Sequence, residues 1–198
     1  MMMKMIILMI AIAGTVDVDA KRVVQSGEQE VRTILEERDR EIKRLVGPRG
    51  TEHTDEQRKE LQEIINGMID FRSMASFALG DLYLELPHDQ REEFVSLFST
   101  IIRDQSMNRL DIYRAEVSYN RIDVSERKAR VETIVALDNV RTPVAYTMVQ
   151  KKGEWRITDM VIDDVSTAES YHRQFQSIIR QRGFDALLDS LRRRAART

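Results

Sequence analysis

The sequence of 198 residues contains no cysteine. That absence excludes disulfides, thiol nucleophiles and zinc–thiolate sites together, and it leaves the redox compartment open. Proline (3) and glycine (8) are scarce, so no long disordered or low-complexity linker is expected. Charge of one sign is missing too: 31 Lys and Arg face 33 Asp and Glu, a net −2. A nucleic-acid partner usually shows as a basic excess, and none is present. No apolar run spans a bilayer, because Met5–Ala13 falls far short of the roughly 20 residues a spanning helix needs. There is no nucleotide-binding loop.

What is present begins with that short run. Lys4 precedes it, and Val18-Asp19-Ala20 follows with residues that suit a signal peptidase. The pattern reads as a secretory signal over residues 1–20, cut after Ala20. A buried first helix is the alternative. Without a cysteine after the run, a lipoprotein anchor is excluded. Cutting there removes Lys4, Asp17 and Asp19 and leaves a nearly neutral exported chain. Residues 21–198 are long enough for one domain.

Three segments follow from periodicity. Residues 21–113 read as helical. Val24, Val31, Ile34, Leu35, Ile42 and Leu45 recur at helical spacing up to Gly47-Pro48. Thr54 and Gln57 form a capping box for a second helix. Phe71, Met74, Phe77, Ala78 and Leu82 suggest an apolar face around Gly80, and Pro87 starts a helix carrying Phe94, Leu97 and Phe98 inward. From 114 to 165 the period falls to two. Val117 and Tyr119, with Ile122, mark one strand; Val131, Thr133, Val135 and Leu137 a second; Val144, Tyr146 and Met148 a third; Trp155 and Ile157 a fourth. Short polar connections make them antiparallel neighbours. Residues 167–195 return to helical spacing, broken at Gly183. The order predicts an α+β fold: a twisted four-stranded antiparallel meander packed against N- and C-terminal helices. Periodicity does not distinguish a filled core from a hollow one.

The stretch GEWRITDMVIDDVS, Gly153–Ser166, concentrates Asp159, Asp163 and Asp164. Their spacing is not that of a calcium loop. His53, His88 and His172 have no metal-ligand spacing, so no metal site is expected. Ser166 lacks the G-x-S-x-G surroundings of a hydrolase nucleophile, and an N-cap is the simpler role. No catalytic constellation remains.

The ordered set of residues resembles the MlaC, or toluene-tolerance, family. It comprises Ile69-Asp70-Phe71-x-x-Met74-Ala75-x-x-Ala78-Leu79-Gly80, Gln90-Arg91-x-x-Phe94-x-x-x-Phe98, Pro143-Val144-x-Tyr146, Trp155-Arg156-Ile157-x-Asp159-Met160, Val165-Ser166, Tyr171-x-x-Gln174-Phe175 and Gly183-Phe184-Asp185-x-Leu187. The chain departs from the family pattern at Asp164 (usually Gly), His172 (Arg), Ser106 (Tyr) and Tyr83 (Trp). The resemblance implies a periplasmic phospholipid carrier, not an enzyme, whose helices and sheet enclose an apolar cavity. It implies phospholipid as cargo and no cofactor. The implied partners are an outer-membrane lipoprotein complex and an inner-membrane ABC transporter complex with its substrate-binding subunit, with the carrier a monomer.

On that resemblance Val144, Tyr146, Met148 and Trp155 are expected to line or brace the cavity, with Val117, Val131 and Val135 from adjacent strands and Phe94 and Phe98 from the helix above. Val165 and Ser166 are expected at its entrance, where a helix start could meet a phosphate. Two rivals stand beside this reading. One is a small α+β enzyme using Asp159 with Tyr119 or Tyr146; the other is an adaptor module with a filled core.

Overall fold

The computed structural model describes residues 16–108 and 110–197. Residues 1–15 of the expected signal therefore lie outside the described residues, and Val16–Ala20 open the first helix. Helix α1 (Val16–Val46) is followed by α2 (Asp55–Asn66), α3 (Phe71–Leu79), the single turn α4 (Leu82–Glu85) and α5 (His88–Met107). A 3-10 turn at Leu110–Arg114 leads into strands β1 (Glu116–Ser125), β2 (Lys128–Leu137), β3 (Val140–Lys151), β4 (Glu154–Ile162) and β5 (Val165–Ser166). Helices α6 (Thr167–Arg182) and α7 (Phe184–Ala195) close the chain.

The class is α+β, and the sheet is an antiparallel meander in the order β1-β2-β3-β4-β5. It has five strands rather than the expected four. The fifth is only Val165–Ser166, joined to β4 by Asp163-Asp164, both with positive φ (50° and 62°). A two-residue link with both residues left-handed matches the right-handed twist of the flanking strands. Two residues are too few to show a period, so this strand is invisible to alternation.

Local signals set the helix ends. Thr54 and Gln57 make the reciprocal capping box at the start of α2. Gly80 at φ 62° ends α3, since an L side chain is strained there. The apolar face expected to continue across Gly80 is therefore split, and Phe77 is left half exposed.

Two cores result. Helices α3, α5, α6 and α7 pack around Phe94, Phe98, Phe175, Leu79 and Leu187. The second core lies on the inner face of the sheet at its far end, where Val31 and Leu35 of α1 meet Val131, Met148, Trp155 and Ile157. The link between α2 and α3 ties the helices to the sheet. Ile157 donates to Met68 O (2.7 Å) and Asp70 donates to Ile157 O (2.8 Å), which covers the outer edge of β4.

Candidate functional site

Alternation along a strand sends every second side chain to one face, and the register shows which. Across the sheet, Tyr119 pairs with Thr133, Thr133 with Val144, and Val144 with Ile162. Val131 pairs with Tyr146, and Tyr146 with Met160. All of these share the inner face. Two bulges keep it apolar. In β1 an extra residue, Asn120, turns Arg121 outward and brings Ile122 in opposite Val131. In β4 the extra residue is Thr158, so Ile157 faces in, Asp159 faces out, and Met160 faces in again.

Inward-facing side chains fall into two groups. At the far end Val131 and Met148 are completely buried. Toward the other end Val117, Val135, Val144 and Tyr146 face the same way, yet are only half buried. They stay partly exposed because the space before them is a pocket of about 460 Å³. Its other walls are Leu35 and Ile42 of α1, Met68 and Ile69 of the α2–α3 link, Ile102 of α5 and Tyr171 of α6. Ile112 and Ile162, both exposed, stand in the wall where it meets solvent. The pocket falls within the roughly 300–1,000 Å³ span of ordinary ligand sites.

Four of the expected site residues thus meet in the pocket wall: Val117, Val135, Val144 and Tyr146. Val131, Met148 and Trp155 lie beyond it in the buried cluster with Val31 and Leu35. Phe94 and Phe98 are elsewhere. Their rings stack at 5.9 Å within the helical core, because α5 turns that face toward α6 and α7. Val165 is exposed. The Ser166 hydroxyl faces away, donating to Asp159 Oδ2 (2.6 Å) and accepting from Glu169 N (3.0 Å). Asp159 Oδ1 also accepts from Ala168 N at 2.9 Å. The start of α6, expected to meet a phosphate, already holds a carboxylate.

That arrangement also breaks up the enzyme rival. Asp159 stands on the outer face, while Tyr119 and Tyr146 stand on the inner one. The histidines have structural partners: His53 contacts the Leu45 and Val46 carbonyls (both 3.2 Å), His172 that of Phe77 (3.0 Å), and His88 approaches Glu92 at 3.9 Å. Among the described residues no group of three or more His, Cys, Asp or Glu is placed to hold a metal ion.

The polar part of the pocket is mostly neutral. Burial pushes the Tyr146 hydroxyl up to about 12, with the Asp39 charge adding to it. Burial likewise raises Tyr113 to about 12, against a Ser106 hydrogen bond that acts the other way. Burial raises Tyr119 further, with Asp39 again adding. All three remain neutral phenols at physiological pH. The two charges in the wall, Arg38 and Asp39, have partners along α1: Glu41 at 3.3 Å and Lys43 at 2.7 Å.

Sequence reading missed the α1 and α6 contributions to the wall and expected Phe94 and Phe98 rather than Ile102 from α5, because helical spacing marks apolar residues without saying which element they face. Met160 and Ile162 were missed through the Thr158 bulge, since strict alternation from Trp155 would have put Asp159 inward.

The fold and the pocket define a class: an α+β domain with a mainly apolar pocket between its meander and its helices. Residues 36–193 match the MlaC protein family model, and the chain belongs to the MlaC family. A solved structure with a similar fold is the phospholipid-binding protein from Ralstonia solanacearum in complex with a phospholipid. It is 18% identical, with a TM-score of 0.69, covering 86% of this chain and 97% of that one. At this identity the likeness is one of fold. No curated relative matches the chain in sequence. Among the described residues no helix is long and apolar enough to cross a membrane.

Proposed function

We propose that this protein is a periplasmic, non-enzymatic phospholipid carrier, with residues 1–20 as its export signal and 21–198 as the mature single domain. It shuttles lipid between an outer-membrane lipoprotein complex and an inner-membrane ABC transporter complex with its substrate-binding subunit, and so maintains outer-membrane lipid asymmetry. The observation that carries this reading is the half-buried inner face. Val117, Val135, Val144 and Tyr146 point toward the helices, yet open onto a pocket instead of packing against them. Membership of the MlaC family and the phospholipid in the similarly folded Ralstonia protein support the choice of cargo.

The energetics favour a hollow. Two acyl chains hold on the order of 30 methylenes, and exposing each to water costs about 0.8 kcal/mol. Roughly 24 kcal/mol therefore opposes moving a bare lipid through water. An apolar pocket removes most of this cost. It does not drive net transfer, because the bilayer solvates the chains equally well. Direction is then set by the docking partners, and the carrier itself needs no energy source.

The test is transfer of a fluorescent phospholipid between two vesicle populations without nucleotide. The carrier accelerates transfer in proportion to its concentration. No acceleration, together with no uptake of the lipid by the protein, rejects the proposal.

A further inference from the structure

Four tyrosines reach the pocket wall, and their hydroxyls are differently placed. Tyr171 donates to Gln105 Oε1 at 2.8 Å, and Tyr113 is hydrogen-bonded with Ser106. Tyr119 lies on the edge strand β1, with the Arg32 guanidinium 5.3 Å over its ring. Tyr146 differs from all three. Among the described residues its hydroxyl has no hydrogen-bond partner, yet the oxygen is not sealed off as Asn66 Oδ1 and Trp155 Nε1 are. Strand β3 runs inside the sheet between β2 and β4, and Tyr146 faces the helices. Its accessible oxygen therefore opens onto the pocket. A phenol in that position is a donor that needs an acceptor, and burying it without one is costly.

Position along β3 says which part of a lipid the hydroxyl meets. Val144 pairs with Ile162, which stands where the wall meets solvent. Tyr146 is two residues farther in, about 7 Å along the strand. Past it the wall continues through Met160, Ile157, Met68 and Leu35, all apolar. The hydroxyl thus marks the boundary between the mouth and an apolar far end. A phospholipid has the same order: a phosphate, then ester carbonyls a glycerol's length away, then hydrocarbon. Those carbonyls are acceptors with no donor of their own, and leaving the membrane strips them of interfacial water.

We infer that the Tyr146 hydroxyl donates to an ester carbonyl of the bound lipid and so recognises the ester linkage. The inference rests on the pocket being a lipid site. A neutral carbonyl suits the place better than a phosphate or carboxylate, because the Asp39 charge acts on this hydroxyl from α1 and disfavours an anion there.

The experiment offers the delipidated full chain vesicles holding equal amounts of two phosphatidylglycerols, one with ester-linked chains and one with the same chains ether-linked. Native mass spectrometry reads the ratio bound. The ester-to-ether ratio falls about fivefold from the native protein to Tyr146→Phe, the scale of one hydrogen bond, while uptake of the ether lipid is kept. The same ratio in both proteins overturns the inference alone and leaves the hydroxyl to water. A second measurement does not depend on the variant folding. In the infrared spectrum of the native complex, the ester carbonyl band gains a hydrogen-bonded component at lower frequency. A single free-carbonyl band overturns the inference whatever the variant does. No uptake of either lipid by the native protein overturns the carrier reading as well.

Discussion

Asp159 accepts the Ser166 hydroxyl hydrogen at 2.6 Å, and so joins the outer face of β4 to the first residue before α6. With the Ala168 N–H as a second donor, the carboxylate meets the positive end of the helix. Replacing Asp159 by Ala is expected to destabilise the fold by about 1–2 kcal/mol, the scale of a lost cap. Urea denaturation followed by circular dichroism measures it. An unchanged midpoint would show that the cap contributes nothing.

The inner face of the sheet separates two valines. Val144 opens onto the pocket, while Val131 is completely buried behind it. Val144→Trp fills empty space, so it lowers phospholipid occupancy while the fold persists. Val131→Trp overpacks a closed core and costs about 1–3 kcal/mol of stability. Lipid extraction and thermal melting on the two variants separate the effects. Full occupancy in Val144→Trp removes that residue from the lining.

Asp164 resolves differently from what its sequence context suggests. The family resemblance leads to glycine being expected at this position, so an acid beside the expected phosphate contact stands out. Asp164 is exposed in the β4–β5 turn with φ 62°, a conformation that glycine adopts freely and aspartate tolerates better than most residues. Asp164→Gly leaves stability nearly unchanged. Asp164→Val, with a β-branched side chain in the same conformation, costs about 1–2 kcal/mol. Denaturation midpoints check both, and a harmless valine would contradict the turn assignment.

The Asp70 carboxylate gives a pH dependence. Burial alone would raise its pKa, but hydrogen bonds from Lys151 and from the Ser73 amide and hydroxyl together hold it below the ordinary value. A depressed carboxylate contributes stability above its unfolded pKa and loses it as pH falls through the folded one. Stability is therefore expected to drop below about pH 4, and Asp70→Asn is expected to flatten that drop while lowering stability at neutral pH. Melting temperatures from pH 7 to pH 2 follow the change; identical acid profiles would exclude the role.

Much of the architecture was legible because local chemistry and fold agree. Capping at Thr54, the change of period after Tyr113 and the short hairpin links all mark real boundaries. The site was legible only in part. Val117, Val135, Val144 and Tyr146 follow the period of two and reach the pocket. Asp159 looked like a candidate acid because strict alternation from Trp155 points it inward; the Thr158 bulge reverses it. Phe94 and Phe98 carry a correct helical face, but spacing along α5 does not say that α6 and α7, rather than the sheet, lie opposite.

The central claim is that the space before Val144 and Tyr146 holds a phospholipid. Native mass spectrometry of the full protein, purified without detergent, tests this most directly. The account predicts a mass increment of about one phospholipid per chain, lost on organic extraction and restored by incubation with vesicles. A protein that carries no lipid as purified, and takes up none from vesicles, contradicts it.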